Sequence, residues 1–97
     1  RRQYRATVHE TRLDLTPKEF QLLEFFLLHA DEVVRRTTLL EKVWDMHFDP
    51  ESNVVDVHVG NLRRKLAAAE GGTTYLHSVR GVGFALREQD GDMHVEE

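Results

Sequence analysis

The chain has 97 residues, no cysteine and a formal net charge of −4, and 40% of its residues are hydrophobic. This length and composition predict one small domain with one core. The lack of cysteine excludes a disulfide framework, a thiolate metal site and a cysteine nucleophile, and it suits a cytoplasmic protein. No apolar run approaches the roughly 18 residues of a membrane span, so no membrane partner is expected.

The charges are unevenly distributed along the chain. Residues 53–87 carry five basic and two acidic side chains, whereas residues 88–97 carry five acidic side chains and no Lys or Arg. Because the last segment lacks hydrophobic periodicity, it is interpreted as a disordered acidic tail after a domain of residues 1–87. The basic excess that precedes it leaves a nucleic-acid partner open.

The N-terminal segment alternates roughly between apolar and polar residues and contains β-branched residues. This pattern predicts short strands near residues 4–8 and 12–15. Thr16, Pro17 and Glu19 then suit the N-cap, N1 and N3 positions of a helix. Together they predict a capping box, in which each end of the Thr–Glu pair binds a backbone N–H of the first turn.

Two helices are predicted next. The first has apolar residues at Phe20, Leu23 and Leu27, the i, i+3, i+7 spacing of a buried face, and it should end at His29 or Ala30. The second is shorter, spans residues 37–44, and has an apolar side formed by Leu39, Leu40, Val43 and Trp44.

A loop, a third helix and a hairpin complete the chain. The loop at residues 45–52 holds a proline and three acids, and the helix at residues 53–69 is followed by two glycines that stop it. Two β-prone runs at residues 74–79 and 84–88 flank the turn sequence RGVG. The fold class predicted is α+β, with an N-terminal β segment, three helices and a C-terminal hairpin.

The third helix contains more valines than one buried stripe needs. At about 100° per residue, one stripe contains Val55, Val59, Leu62 and Leu66. Val57 falls almost opposite that stripe. A second cluster lies more than a quarter turn away and consists of Val54, His58, Asn61 and Lys65.

Two interpretations of the second cluster stay open from periodicity alone. Val54 and Val57 could pack under a neighbouring loop or strand. Alternatively, the helix lies in a DNA major groove, where small apolar groups contact thymine methyls, Asn reads adenine and basic groups hold phosphates. Helix, turn, helix and hairpin is the order of a winged-helix domain, a variant of helix-turn-helix docking. Arg80 at the hairpin tip then suits insertion into a narrow minor groove.

Four motifs, LTPKEFQLL, LLEKVW, NVVDVHVGNLRRKL and VRGVGF, stand at characteristic spacings. Together they make roughly residues 5–87 resemble the C-terminal effector domain of OmpR/PhoB-family response regulators. The stretch WDMHFDPESNVVDV is also similar to the heavy-metal, copper-type subgroup. The resemblance implies a winged helix-turn-helix transcription factor that follows a receiver domain, binds direct-repeat double-stranded DNA as a head-to-tail dimer, and usually begins with a four-stranded sheet.

The resemblance also implies roles for individual residues. Base or nearby backbone contacts are implied for Val54, Val57, His58 and Asn61. Phosphate contacts are implied for Arg63 and Lys65, other DNA contact for Arg64, and minor-groove insertion for Arg80. A loop that touches RNA polymerase in activators corresponds to Asp45, Met46, His47, Phe48 and Asp49.

Three residues depart from the family's pattern. Gly60 replaces a basic or polar residue, and a glycine in mid-helix costs about 1 kcal/mol relative to alanine. Asn61 replaces a frequent Arg, so base preference at that position should move from guanine toward adenine. Arg35 replaces the Ser that would cap the second helix.

Two rival functions differ in class from DNA binding. An enzyme is disfavoured, because the six histidines form no HExxH or similar pair and the acids at residues 45–51 suit a solvated loop, so no catalytic residue, metal or cofactor is expected. The net negative charge of the chain favours a winged-helix interaction module that does not bind DNA. Steep salt dependence of DNA binding would separate the two.

Overall fold

A computed structural model of the chain describes residues 5–8, 11–47, 50, 52–69, 75–87 and 93–96. Along the chain, the elements are β1 Arg5–Val8, β2 Thr11–Arg12, α1 Pro17–Leu28, β3 Val34–Arg35, α2 Arg36–Lys42, α3 Val54–Ala69, β4 Leu76–Val79, β5 Gly83–Leu86 and β6 Met93–Glu96. Within these ranges, no helix is both long enough and apolar enough to cross a membrane.

The strands form two antiparallel sheets of three strands each, in the orders β2-β1-β6 and β3-β5-β4. The predicted C-terminal hairpin is therefore confirmed. The N-terminal strands also pair, but β2 is shorter than predicted and overlaps the expected range 12–15 only at Arg12. The two-residue strand β3 is an addition, and it pairs Val34 with Phe84 and Arg35 with Gly83. Because β3 leads directly into α2, this pairing connects the helix-turn-helix segment to the C-terminal hairpin.

The C-terminal segment differs from the sequence interpretation. Met93–Glu96 form β6, which pairs with the whole of β1 in a register from Arg5↔Glu96 to Val8↔Met93. A disordered tail is therefore wrong for these four residues. The physical reason is that β1 has backbone N–H and C=O groups along its free edge, and a short extended segment satisfies them. Residues 88–92 and residue 97 lie outside the described residues.

Helix α1 confirms its predicted start. The Glu19 amide donates to Thr16 Oγ1 at 3.2 Å, and the Thr16 amide donates to Glu19 Oε1 at 3.0 Å, so the capping box is complete. The last helical residue is Leu28, with His29 as the C-cap.

Helix α2 is shorter than predicted. It begins after Arg35, which makes no side-chain cap, as the missing Ser implied. It ends at Lys42, and Val43 and Trp44 lie in the turn that follows. Asp45 adopts a left-handed backbone conformation with φ of 54°, which stops the helix.

The core lies between α1, α2, α3 and the inner faces of the sheets. The predicted stripe of α3 is confirmed, because Val55, Val59, Leu62 and Leu66 are 0–1% exposed. Other fully buried side chains come from the remaining elements, and they include Phe20, Phe26, Leu22, Leu23, Leu39, Leu40, Leu76, Leu86 and Val8. One continuous core therefore fixes α3 on its apolar side.

A partly buried ion pair holds α3 against the start of α1. Glu19 is 3% exposed, and its Oε1 accepts from Lys65 Nζ at 2.6 Å. The same ammonium donates to the Asp14 carbonyl at 2.8 Å. Glu19 thus serves both its own helix cap and a contact with a residue 46 positions later in the chain.

The environment of Glu19 also shifts its pKa. Burial disfavours the charged carboxylate and by itself raises the pKa. The hydrogen bond from Lys65, the bonds from Thr16 and the attraction of the ammonium together outweigh burial, so the pKa of Glu19 lies below its ordinary 4.5. A carboxylate with a depressed pKa stabilises the fold above the unfolded-state pKa, and that stability is lost as pH falls through the folded-state value.

Lys65→Met tests this ion pair. It removes the cation while keeping an aliphatic side chain, and should lower the free energy of unfolding by about 1–3 kcal/mol at pH 7, because a buried carboxylate loses its partner. The loss should shrink as pH falls below 4.5. Lys42→Met is the matched control, since Lys42 is exposed and pairs only with the exposed Glu41 in the described structure. Equal urea denaturation midpoints for the two variants at pH 7 would show that the Lys65 pair does not stabilise the fold.

Candidate nucleic-acid interface

The side of α3 opposite the core forms a ridge at i, i+3, i+4, i+7 spacing. We call it the outward ridge, and it consists of Val57, Gly60, Asn61 and Arg64. Val57 is 46% exposed, and Arg64 is also exposed. A solvent-facing valine beside an amide and a guanidinium combines apolar contact, hydrogen bonding and positive charge on one convex surface.

The structure divides the second cluster predicted on α3. Asn61 lies on the outward ridge, whereas Val54 packs against the edge of the core. The ring of His58 meets Trp44 edge to face at 5.2 Å between centroids, and its Nδ1 lies 2.8 Å from the Val54 carbonyl oxygen. A carbonyl only accepts, so Nδ1 carries the hydrogen in this contact. Lys65 turns toward Glu19, as described above, rather than toward the outward ridge.

Arg63 connects α3 with the hairpin. Its Nη2 donates to Ser78 Oγ on β4 at 2.7 Å. Its Nε is buried and has no hydrogen-bond partner among the described residues. The guanidinium therefore links α3 to the hairpin, a contact that spacing along one helix could not predict.

Arg64 lies along the helix surface over Gly60. Its Nη2 donates to Asn61 Oδ1. A Cβ built on Gly60 would lie 3.8 Å from Arg64 Nη1, which is an ordinary contact. The backbone at Gly60 is helical and does not need glycine. What glycine provides is space, because a long side chain there would compete with the Arg64 guanidinium.

The hairpin tip presents Arg80. The Val82 amide donates to the Val79 carbonyl at 2.9 Å, and Gly81 has a φ of +76°, which only glycine adopts readily at the third position of such a turn. Arg80 is exposed beside it. At Gly83, an added Cβ would lie 2.1 Å from the Val34 carbonyl oxygen, so close pairing with β3 requires glycine.

A cleft of about 450 Å³ separates the hairpin from the starts of α2 and α3. Arg36 and Asp56 line it together with Arg80 and the hairpin backbone. Arg36 Nε lies 3.7 Å from Asp56 Oδ2, and Arg36 Nη2 donates to the Ser52 carbonyl. The lining of this cleft therefore includes two arginines and the exposed Asp56.

The loop that follows α2 is described only in part. Asp45 and His47 are exposed, with His47 Nε2 3.6 Å from Asp45 Oδ1. Met46 packs against the core, and its amide donates to the Leu40 carbonyl at 2.9 Å. Phe48 and Asp49 lie outside the described residues. The described part of the chain contains no group of three or more His, Cys, Asp and Glu side chains placed to hold a metal.

Helix α2, the turn, helix α3 and the adjacent hairpin define a winged helix-turn-helix domain. A family model described as the C-terminal domain of transcriptional regulatory proteins matches residues 10–86. The chain belongs to this family, the OmpR/PhoB-type effector domains of response regulators.

Curated relatives agree with this assignment. The chain is 52% identical over 85 residues to the transcriptional regulatory protein PrrA of Mycobacterium tuberculosis. The matched region covers 88% of this chain and 36% of the relative. It is 45% identical over 87 residues to the transcriptional regulatory protein CusR of Escherichia coli, which covers 90% of this chain and 38% of the relative. The chain thus spans little more than a third of these relatives, and CusR supports the copper-type subgroup only loosely.

Solved structures share the fold. The DNA-binding domain of CpxR from E. coli superposes with a TM-score of 0.74 at 31% identity, covering 89% of this chain and 84% of that one. The DNA-binding domain of the response regulator AdeR, solved in complex with an intercistronic region, gives a TM-score of 0.73 at 30% identity, covering 88% and 86%.

Gly60→Ala tests the reason for glycine in the outward ridge. It should raise the free energy of unfolding by about 0.5–1 kcal/mol, because alanine restricts the unfolded chain and its Cβ meets only Arg64 at 3.8 Å. Gly83→Ala is the control and should be strongly destabilising, since its Cβ would overlap the Val34 carbonyl. Destabilisation of both variants in urea titrations would show that Gly60 has a conformational role that the structure does not contain.

Proposed function

We propose that this domain binds double-stranded DNA sequence-specifically to control transcription. In this proposal the outward ridge of α3 enters the major groove and Arg80 enters the adjacent minor groove. The observation that carries it is the solvent-facing ridge Val57-Gly60-Asn61-Arg64, with a wing held beside it by Arg63 and Ser78. Membership of a family of transcriptional regulators supports the same function.

The ridge supplies the chemistry that a major groove requires. Val57 offers methyl groups to thymine, and Asn61 offers hydrogen bonds to a base edge. We assign phosphate contact to Arg63 and Arg64, because each guanidinium keeps N–H donors beyond its bond to Ser78 or Asn61. The ammonium of Lys65 instead donates to both Glu19 and the Asp14 carbonyl. Val54 and His58 lie on the flank toward Trp44, so their proposed role is contact with the groove wall rather than with a central base.

Partners beyond DNA follow from family membership. We propose that a receiver domain accompanies this domain in the full-length protein, which works in the cytoplasm, and that two copies bind direct repeats head to tail. Asp45 and His47 are exposed and are our candidates for contact with RNA polymerase, whereas Met46 anchors their loop to the core.

The rival function is a winged-helix interaction module without DNA binding, and the net charge of −4 favours it. Salt dependence separates the two. For a DNA-binding domain, the logarithm of the affinity falls linearly with the logarithm of salt concentration, with a slope of about −0.9 per phosphate neutralised. A folded domain that retards no duplex at low salt would favour the interaction module.

Arg80→Ala should weaken DNA binding by about 1–2 kcal/mol, with the largest loss at A·T-rich sites, whose narrow minor groove attracts a guanidinium. Fluorescence anisotropy with A·T-rich and G·C-rich flanks measures the difference. Arg12→Ala is the control, because Arg12 is also exposed but lies on β2, far along the chain from the wing. An affinity unchanged relative to that control would exclude the wing from the mechanism.

Val57→Ala should leave the free energy of unfolding within about 0.5 kcal/mol of the parent, because the side chain is 46% exposed. It should also reduce discrimination for thymine at one position of the site, since methyl contact is lost. Binding to duplexes that carry thymine or uracil at each position measures this. Full retention of thymine discrimination would show that Val57 does not face a base.

A further inference from the structure

The strongest feature that DNA binding alone does not explain is the pairing of Asn61 with Arg64. We propose that Arg64 fixes the Asn61 amide so that it presents its N–H donors to the groove and selects guanine, with Gly60 keeping the space for this arrangement. Arg64 is thereby a positioning residue for base recognition. This inference rests on the proposed function, because it names the base class that the outward ridge would read.

The orientation of the amide follows from donor chemistry. A guanidinium has five N–H donors and no acceptor. The Asn61 atom that Arg64 Nη2 contacts must therefore be the oxygen, as the structure places it. The Nδ2 group, with its two hydrogens, then occupies the other branch of the amide. Arg64, one turn away on the same ridge, restricts rotation of the Asn61 amide. Free rotation would let Asn61 present either Oδ1 or Nδ2 to a base.

This orientation alters which base edge fits. An asparagine reads adenine by accepting from N6 and donating to N7, so it needs its oxygen facing the base. Oδ1 already accepts from Arg64 and keeps one lone pair, whereas Nδ2 keeps both of its hydrogens free, so the amide presents mainly donors. Guanine presents two adjacent acceptors, O6 and N7, in the major groove. The donor groups of the positioned amide therefore match guanine, which reverses the preference that Asn61 alone would suggest.

Gly60 makes the arrangement possible. The position where its Cβ would stand is 3.8 Å from Arg64 Nη1, which places the guanidinium over the glycine. A long side chain at this position would compete for that space and displace the guanidinium from Asn61. Residues 60, 61 and 64 therefore act as one unit in the sequence GNLRR.

The test begins by selecting bound sequences from random DNA with the full chain, and then measures affinities for single-base variants of the selected site. Asn61→Ala identifies the position that Asn61 reads, as the position where base preference is lost. At that position the parent should prefer guanine over adenine by about fivefold or more. A site carrying 7-deazaguanine, which lacks the N7 acceptor, should bind the parent more weakly and Asn61→Ala unchanged.

Arg64→Met is the decisive variant, because it keeps the aliphatic length and removes every donor. It should lower affinity for all sites and, in addition, shift the guanine-to-adenine ratio at the Asn61 position toward adenine by about fivefold or more. Arg87→Met is the matched control, since it removes the same charge from an exposed arginine after β5 and should leave the ratio unchanged. The shift is a readout that loss of positive charge alone does not produce.

Each other outcome overturns the inference. Preference of the parent for adenine, thymine or cytosine at the Asn61 position contradicts the donor orientation, and an unchanged ratio in Arg64→Met contradicts the positioning role. If Asn61→Ala alters no position, Asn61 reads no base. If the folded chain selects no sequence at all, the proposed function itself is contradicted. The outcomes above contradict only the inference about Asn61 and Arg64, so the two failures are distinguishable.

Discussion

The ion pair between Lys65 and Glu19 is the contact on which the orientation of α3 depends. The core stripe of α3 fixes which side of the helix is buried, but a stripe of aliphatic side chains tolerates some rotation about the helix axis. A 2.6 Å bond from Lys65 Nζ to a carboxylate that also caps α1 restricts that rotation. With Lys65 directed toward α1, the residues of the outward ridge are directed away from it.

The position of the wing is set by two further contacts of different kinds. Strand β3 pairs with β5 and leads into α2, so the backbone connects the helix-turn-helix to the hairpin. Arg63 connects α3 to the same hairpin through Ser78 Oγ at 2.7 Å. Helix α3 and the wing are thus fixed relative to each other within the domain, which would lower the ordering cost of the proposed DNA binding.

The sequence predicts the helices and the core of this domain well, because both depend on local signals. The capping box at Thr16 and Glu19 and the buried stripe that includes Val55 and Leu62 are properties of neighbouring residues. Lys65 shows the limit. Its angular position suggested a surface cation, but its partner Glu19 lies 46 residues earlier, and no local pattern reveals that contact. The pairing of β6 with β1 also joins segments that are far apart in the sequence. The high charge of the C-terminal segment predicted disorder there, so the four-residue strand was missed.

The proposed DNA-binding surface was predictable in part. The periodicity placed Val57 opposite the core, and the 46% exposure of that side chain confirms it. The remaining ridge residues follow from the same i, i+3, i+4, i+7 spacing, but the bond between Arg64 and Asn61 depends on rotamers that a helical wheel does not contain. The central claim is that the outward ridge and the wing tip together form the DNA-binding surface. Titrating the isotopically labelled chain with its selected duplex and following backbone amide shifts by NMR tests this most directly. We predict that the largest shifts fall on Val57, Gly60, Asn61, Arg64 and Arg80, with α1 around the exposed Leu28 unaffected. Shifts concentrated on α1, with the ridge unchanged, would contradict it.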